Sequence, residues 1–157
     1  MAIRLVYEKQ SPPEHLHGRR LTHLHRAIYA SKGIIDKFKR DSTDTTTPWI
    51  VKEEDGPLPG WATQSYPTSQ HTVYVVSDLL TEITATREGL GASILPCYIG
   101  DRDTELMRLH PDQSRNYGEL WILTHGDIRD TPRVRAFTEF MATAIRTHAN
   151  LLEGRGD

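Results

Sequence analysis

The run from His71 to Pro96 constrains this chain more than any other. His71-Thr72-Val73-Tyr74-Val75-Val76 is its most strand-like segment, and Ser77 and Asp78 follow directly as helix-capping residues. Leu79, Leu80, Ile83 and Ala85 then recur at helical spacing up to Gly89, which has free access to positive φ, and Leu90 to Pro96 forms a small-residue strand closed by a proline. Strand, cap, helix, glycine and strand in that order predict a βαβ unit with parallel strands, and so an α/β fold.

The flanking segments extend this pattern. AIRLVY predicts a strand ending at the Ser11-Pro12-Pro13 loop, and LTHLHRAIYAS a second strand with Leu24, Ala27, Ile28 and Tyr29 as its apolar part. Ser31 can cap a helix carrying Ile34, Ile35 and Phe38; Pro48 to Val51 is a short strand, and the region after Trp61 is short helix or irregular. Beyond the acidic turn GDRDTE come a strand from Leu106, a loop from His110 to Tyr117 and the strand Glu119 to Thr124. The clearest helix follows, with Thr131 as N-cap, Pro132 in its first turn, and Val134, Phe137, Met141, Ala144, Ile145 and His148 on one face.

Charge and composition narrow the function. Residues 1–40 hold nine basic and three acidic side chains, yet the 157-residue chain carries a net charge of −2. The basic segment lacks aromatic interleaving, which favours a solvated or anion-facing surface over a nucleic-acid footprint. No apolar run suits a membrane span or signal peptide, so a cytoplasmic protein is expected. The single cysteine, Cys97, excludes an internal disulfide and a cysteine-rich zinc module. The chain is 37% hydrophobic, which is lean for an independent core of this length.

In sequence order, GLGASILPCYIGD and then GELWILTHGDIRDTPRVRAFTEFMATAI resemble the C-terminal part of the effector-binding domain of LysR-type transcriptional regulators. Upstream, AIRLVYEKQSPPEHLHGRRLTHLHRAIYAS resembles that family's "DIAIR … L … YAS" segment, and Pro48-Trp49-Ile50 matches its "PWI". The resemblance implies a fold like type 2 periplasmic binding proteins: two α/β subdomains, with a small-molecule effector in the cleft between them. It further implies a winged helix-turn-helix that is absent from this sequence, so the chain is expected to be an N-terminally truncated regulator piece without its own operator-binding module. One near-complete subdomain is expected over about 22–105, with 1–21 and 106–150 as crossover and remnant of the other and 151–157 as a disordered tail. The implied partners are an anionic small-molecule effector and a second copy or intact regulator. DNA is reached only through the missing domain, and no membrane or cofactor is implied.

Four residues are candidate effector contacts. Arg4, on a strand resembling the crossover, can pair bidentately with a carboxylate or pin the hinge through a salt bridge. Ser77 can donate to a carboxylate or act as a plain N-cap. Pro96 and Cys97 close a strand and can line the cleft by shape, although Cys97 suits packing better than reactivity. Asp78 is expected to cap or face solvent, and Trp49 and Trp121 to be core aromatics. The pairs His15/His17 and His23/His25 have the two-residue spacing of a metal clip, but the arginines beside them argue against a cationic site. Cys97 lacks an evident base and oxyanion site, so no enzymatic activity is expected. An alternative reading is an interaction fragment without a ligand pocket, pairing through an exposed sheet edge or left as a decayed product.

Overall fold

The computed structural model describes residues 1–8, 10–41, 43, 47–65 and 72–155. In chain order these form β1 (Ala2–Tyr7), β2 (His17–Ser31), α1 (Lys32–Arg40), β3 (Trp49–Lys52), a 3-10 turn (Glu53–Asp55), α2 (Gly60–Ser65), β4 (Val73–Val76) and α3 (Leu79–Arg87). They continue as β5 (Ser93–Pro96), α4 (Cys97–Gly100), β6 (Leu106–Arg108), β7 (Arg115–Thr124), α5 (Gly126–Arg129), α6 (Pro132–Thr147) and α7 (Ala149–Leu152). The chain divides into a first unit, Met1–Arg26 with Pro96–Tyr98 and Ser114–Asp157, and a second unit, Ala27–Leu95 with Ile99–Gln113. The expected strand at 71–76 is realised from Val73; His71 lies outside the described residues.

In the first unit β7 runs between β1 and the N-terminal part of β2, antiparallel to both, with Ala2 opposite Leu123 and His17 opposite Thr124. Val6, Leu24, Ile122, Leu123 and Ala142 are buried. α6 begins at Pro132 with Thr131 in the cap position, but the Thr131 hydroxyl donates to the Ile128 carbonyl (2.9 Å) instead of capping. The face of α6 that turns inward carries Ala142 and the half-buried Val134, Thr138, Met141 and Ile145, whereas Phe140 is 67% exposed and Phe137 and His148 are also exposed. After α6 the chain continues as α7. That helix runs through Leu152, and the Glu153 carboxylate accepts from the buried Thr22 hydroxyl at 2.7 Å, anchoring the segment; Gly156 and Asp157 lie outside the described residues.

The second unit holds the denser core: Ile28, Ala30, Ile35, Trp49, Ala62, Ala92 and Leu109, with Ile34, Phe38, Val51 and Trp61 packed against it. β3 pairs in parallel with β4, and Trp49 forms a parallel bridge to Ala92 just before β5. The βαβ crossover is therefore present, with β3 lying between the two strands it joins. Gly91 permits this approach, since a Cβ there would lie 2.6 Å from the Pro48 carbonyl oxygen.

α3 departs from its expected apolar face. Leu80 is 73% exposed, while Glu82 and Thr86 are buried. The Thr86 hydroxyl donates to the Glu82 carbonyl (2.7 Å) and lies 2.8 Å from Ser93 Oγ, which joins helix to strand. Burial, reinforced by Asp55 and opposed by Lys52, pushes the Glu82 carboxyl up to about 8.

Candidate functional site

The basic character of the N-terminal segment resolves into side chains with different fates. On β2, Arg19 donates to Glu139 (2.8 Å) and Arg20 to Glu119 (2.9 Å), the latter carboxylate also accepting from Trp121 Nε1 at 2.9 Å. Both are exposed, screened pairs of modest energetic weight. Arg26, near the middle of the same strand, has no such partner among the described residues, and its Nε is buried without a hydrogen bond. Sequence alternation places Arg26 in step with the buried Thr22, Leu24 and Ile28.

The backbone explains why Arg26 meets an aromatic ring. Opposite β2, the register of β7 passes from Gly118 facing Leu24 to Asn116 facing His25, leaving Tyr117 as the extra residue of a bulge. A bulge twists its strand and re-aims a side chain. The Arg26 guanidinium carbon lies 5.8 Å from the centre of the Tyr117 ring, within cation–π range. Burial, with the Tyr98 and Tyr7 phenols nearby, pushes the Tyr117 hydroxyl well above the usual range, against the pull of Arg26. Arg26 also faces Arg115 directly across the strand pair. Beside it, His25 Nδ1 lies 2.9 Å from Ser114 Oγ. All of these residues belong to the first unit.

A groove of about 480 Å³ lies elsewhere in that unit, where the start of β2 and the end of β7 meet α6. Ile122 and Val134 supply its apolar lining, and His17, Arg135 and Asp130 its polar rim.

In the second unit, Tyr29 is fully buried and donates to Asp101 at 2.7 Å. Arg108 holds the same carboxylate with two nitrogens, at 2.8 and 2.6 Å, and donates to the Pro111 carbonyl at 3.1 Å. This network is internally satisfied and is read as structural.

The four residues expected as effector contacts are distributed as follows. Arg4 is exposed on β1 opposite Trp121, with no ion pair or hydrogen bond from its side chain among the described residues. Ser77 is exposed and donates to Asp78 (3.0 Å). Asp78 is the N-cap of α3, accepting from the Thr81 N–H (2.9 Å) and hydroxyl (2.8 Å), which hold its carboxyl below the usual range. Pro96 ends β5 half-buried, and Cys97 opens α4 fully buried. Arg4, Pro96 and Cys97 fall in the first unit and Ser77 in the second. Arg26, Arg115 and Tyr117 were not singled out by the sequence, although an arginine in step with buried strand positions was a usable signal.

Of the described histidines, His15 and His125 have ring centres 6.1 Å apart, while His23 lies by Asn116 (3.1 Å). Among the described residues, no three His, Cys, Asp or Glu side chains are grouped to hold a metal ion. No helix among them is long and apolar enough to cross a membrane.

Comparison with known proteins agrees with this architecture. The effector domain of the transcriptional regulator AmpR of Pseudomonas aeruginosa superposes with a TM-score of 0.69 at 14% identity, covering 94% of this chain and 72% of that one. The regulatory domain of CrgA, a LysR-type transcriptional regulator from Neisseria meningitidis, gives 0.65 at 18% identity, covering 91% and 74%. Full-length LysG from Corynebacterium glutamicum gives 0.59 at 15%, covering 88% of this chain and 48% of LysG. No curated protein matches the chain. The fold is thus the type 2 periplasmic-binding-protein-like α/β fold of LysR effector-binding domains. The sequence itself matches the LysR substrate binding domain over residues 1–146, and the chain belongs to that family.

Proposed function

We propose that this chain is the effector-sensing part of a LysR-type transcriptional regulator, acting by binding a small anionic molecule. The match to the LysR substrate binding domain over residues 1–146 carries the reading. Support for a small-molecule ligand comes from LysG, which has been solved with its effector Arg bound. A ligand can shift such a domain between conformations only by its differential affinity for them. The Arg4 guanidinium, without an ion pair among the described residues, suits a carboxylate, and Ser77, Pro96 and Cys97 are the further proposed contacts. A thermal-shift panel of organic acids, amino acids and sugars tests the function. A saturable rise in Tm for one class, weakened by Arg4→Ala or Ser77→Ala, is expected; no response to any member would contradict it.

A second reading, an interaction fragment that pairs with intact regulators or with itself, is favoured by one observation. β1 ends its sheet, and Met1, Ile3, Tyr7, Phe137 and Phe140 are exposed in the same unit. Concentration-dependent self-association abolished by Ile3→Lys would support this reading, and a monomer at all concentrations would remove it.

A further inference from the structure

Among the described residues Glu82, on α3, is the one buried carboxyl group, and its Oε2 has no hydrogen-bond partner. As a carboxylate it would be a buried charge short of donors; as a carboxylic acid it is neutral and can sit among packed side chains. The charges around it are few. α3 packs mainly on β3 and β4. β3 presents Lys52 at its end, and the 3-10 turn that follows carries Glu53, Glu54 and Asp55. On β4 the ionisable side chain is Tyr74, which is exposed. Within α3 itself Arg87 is committed to Asp103, and the cap residues Asp78 and Glu88 are exposed. Lys52 is thus the cation whose charge acts on Glu82, and Asp55 the acid that opposes its ionisation. That cation is already engaged, donating to Glu54 at 2.9 Å and lying 3.2 Å from Asp55.

We propose that Glu82 is a buried proton switch: neutral, it seats α3 on β3, and ionised, it draws Lys52 away from Glu54 and Asp55 and loosens the turn at 53–55. The proton leaves to solvent and Lys52 stays an ammonium throughout, so one ion pair is exchanged for another. The exchange follows from the surroundings of the two pairs. Glu54 is 74% exposed, so water screens its pair with Lys52 and breaking that pair costs little. A buried carboxylate left without a cation is far more costly. Burial and Asp55 raise the Glu82 carboxyl to about 8, within reach of ordinary solution pH. Two conformations biased by one proton make pH an input to the second unit that needs no bound effector.

NMR titration of the 157-residue chain from pH 5 to pH 9.5, with Glu82→Gln and Lys52→Met beside it, tests the switch. The Glu82 carboxyl carbon is expected to titrate with a midpoint of about 8, and the amides of residues 53–55 and 79–87 to shift on the same curve. Glu82→Gln, which mimics the neutral acid, should abolish that shared curve while keeping the parent's spectrum at pH 6. Lys52→Met removes the recruited cation. It should raise the Glu82 midpoint by about one pH unit and detach the Glu54 and Asp55 amides from that titration. A Glu82 carboxyl that titrates below pH 6 or not at all, or a shared curve that survives Glu82→Gln, would overturn the proposal. So would turn amides that ignore the Glu82 titration in the parent chain. Loss of the whole folded spectrum by pH 9 would also overturn it, because ionisation would then unfold the chain and select no second conformation. If Glu82→Gln does not fold, Lys52→Met decides alone: an unmoved Glu82 midpoint there overturns the exchange.

Discussion

The two units of this chain spend their apolar residues differently. The second closes a core around Trp49, Ile28 and Ile35, and its buried polar groups are mostly joined to one another, as in Tyr29–Asp101–Arg108 and Thr86–Ser93. The first buries fewer large side chains, chiefly Val6, Leu24, Ile122 and Leu123, and has Arg26 half-buried without a carboxylate partner among the described residues. An overall hydrophobic content of 37% thus conceals an uneven distribution. The lesson is that the packing that stabilises the fold is not shared evenly along the chain. Packing is concentrated in the second unit, arginines without a carboxylate partner among the described residues, such as Arg4 and Arg26, lie in the first, and exposed apolar side chains occur in both.

The sharpest way to break this contrast is to empty the second unit's core. Trp49 is fully buried, and Trp49→Ala should cost about 3–5 kcal/mol in chemical denaturation. A loss below about 1 kcal/mol would mean that the core contributes no more than an ordinary surface site.

The next effect depends on pH. Glu82 is 2% exposed, and its carboxyl is raised from 4.5 to about 8 in the folded chain. A raised folded value means that the stabilisation is complete below the unfolded pKa and lost as pH rises through 8. Stability should therefore fall by on the order of 3 kcal/mol between pH 5 and pH 8 from this group alone. Glu82→Gln should flatten that slope, which denaturant melts at several pH values would register.

A smaller effect is expected at Gly100, where a Cβ would stand 2.4 Å from the Tyr29 ring. Gly100→Ala should cost about 1–3 kcal/mol in the same assay, because the ring is buried and tied to Asp101. Smallest of all, Phe140→Ser in the first unit should change stability by less than about 0.5 kcal/mol while reducing self-association measured by analytical ultracentrifugation.

The same contrast separates what was legible in the sequence from what was not. The helix from Pro132 and the strand–cap–helix order around Asp78 were readable because local chemistry dictates them: a proline in the first turn, and a carboxylate that caps its own helix. The inward face of α3 was not. Leu80 looks like core by residue type, but the helix phase that brings Thr86 to Ser93 turns Glu82 inward and Leu80 outward. Arg115 to Tyr117 read as loop because their strand character comes from pairing with distant Arg26 and His25. Bulges are a tertiary feature, so the position of Tyr117 under Arg26 was likewise beyond local pattern. The family motifs indicated the fold without these details, since they lie mainly in turns and strand ends. Arg4, a candidate contact, and Arg26, which was not one, differ instructively: the first is a surface cation on an edge strand, the second a partly buried cation in step with core positions.

Amide hydrogen exchange on the dilute chain tests the inequality of the two units most directly. Exchange reports the free energy of local opening, which follows buried contact density. The amides of Ile28, Ala30 and Ile50 should exchange only through global unfolding, with those of β1 that pair with β7 opening at distinctly lower free energy. Equal protection in β1 and around Trp49, with one shared opening free energy, would contradict the account.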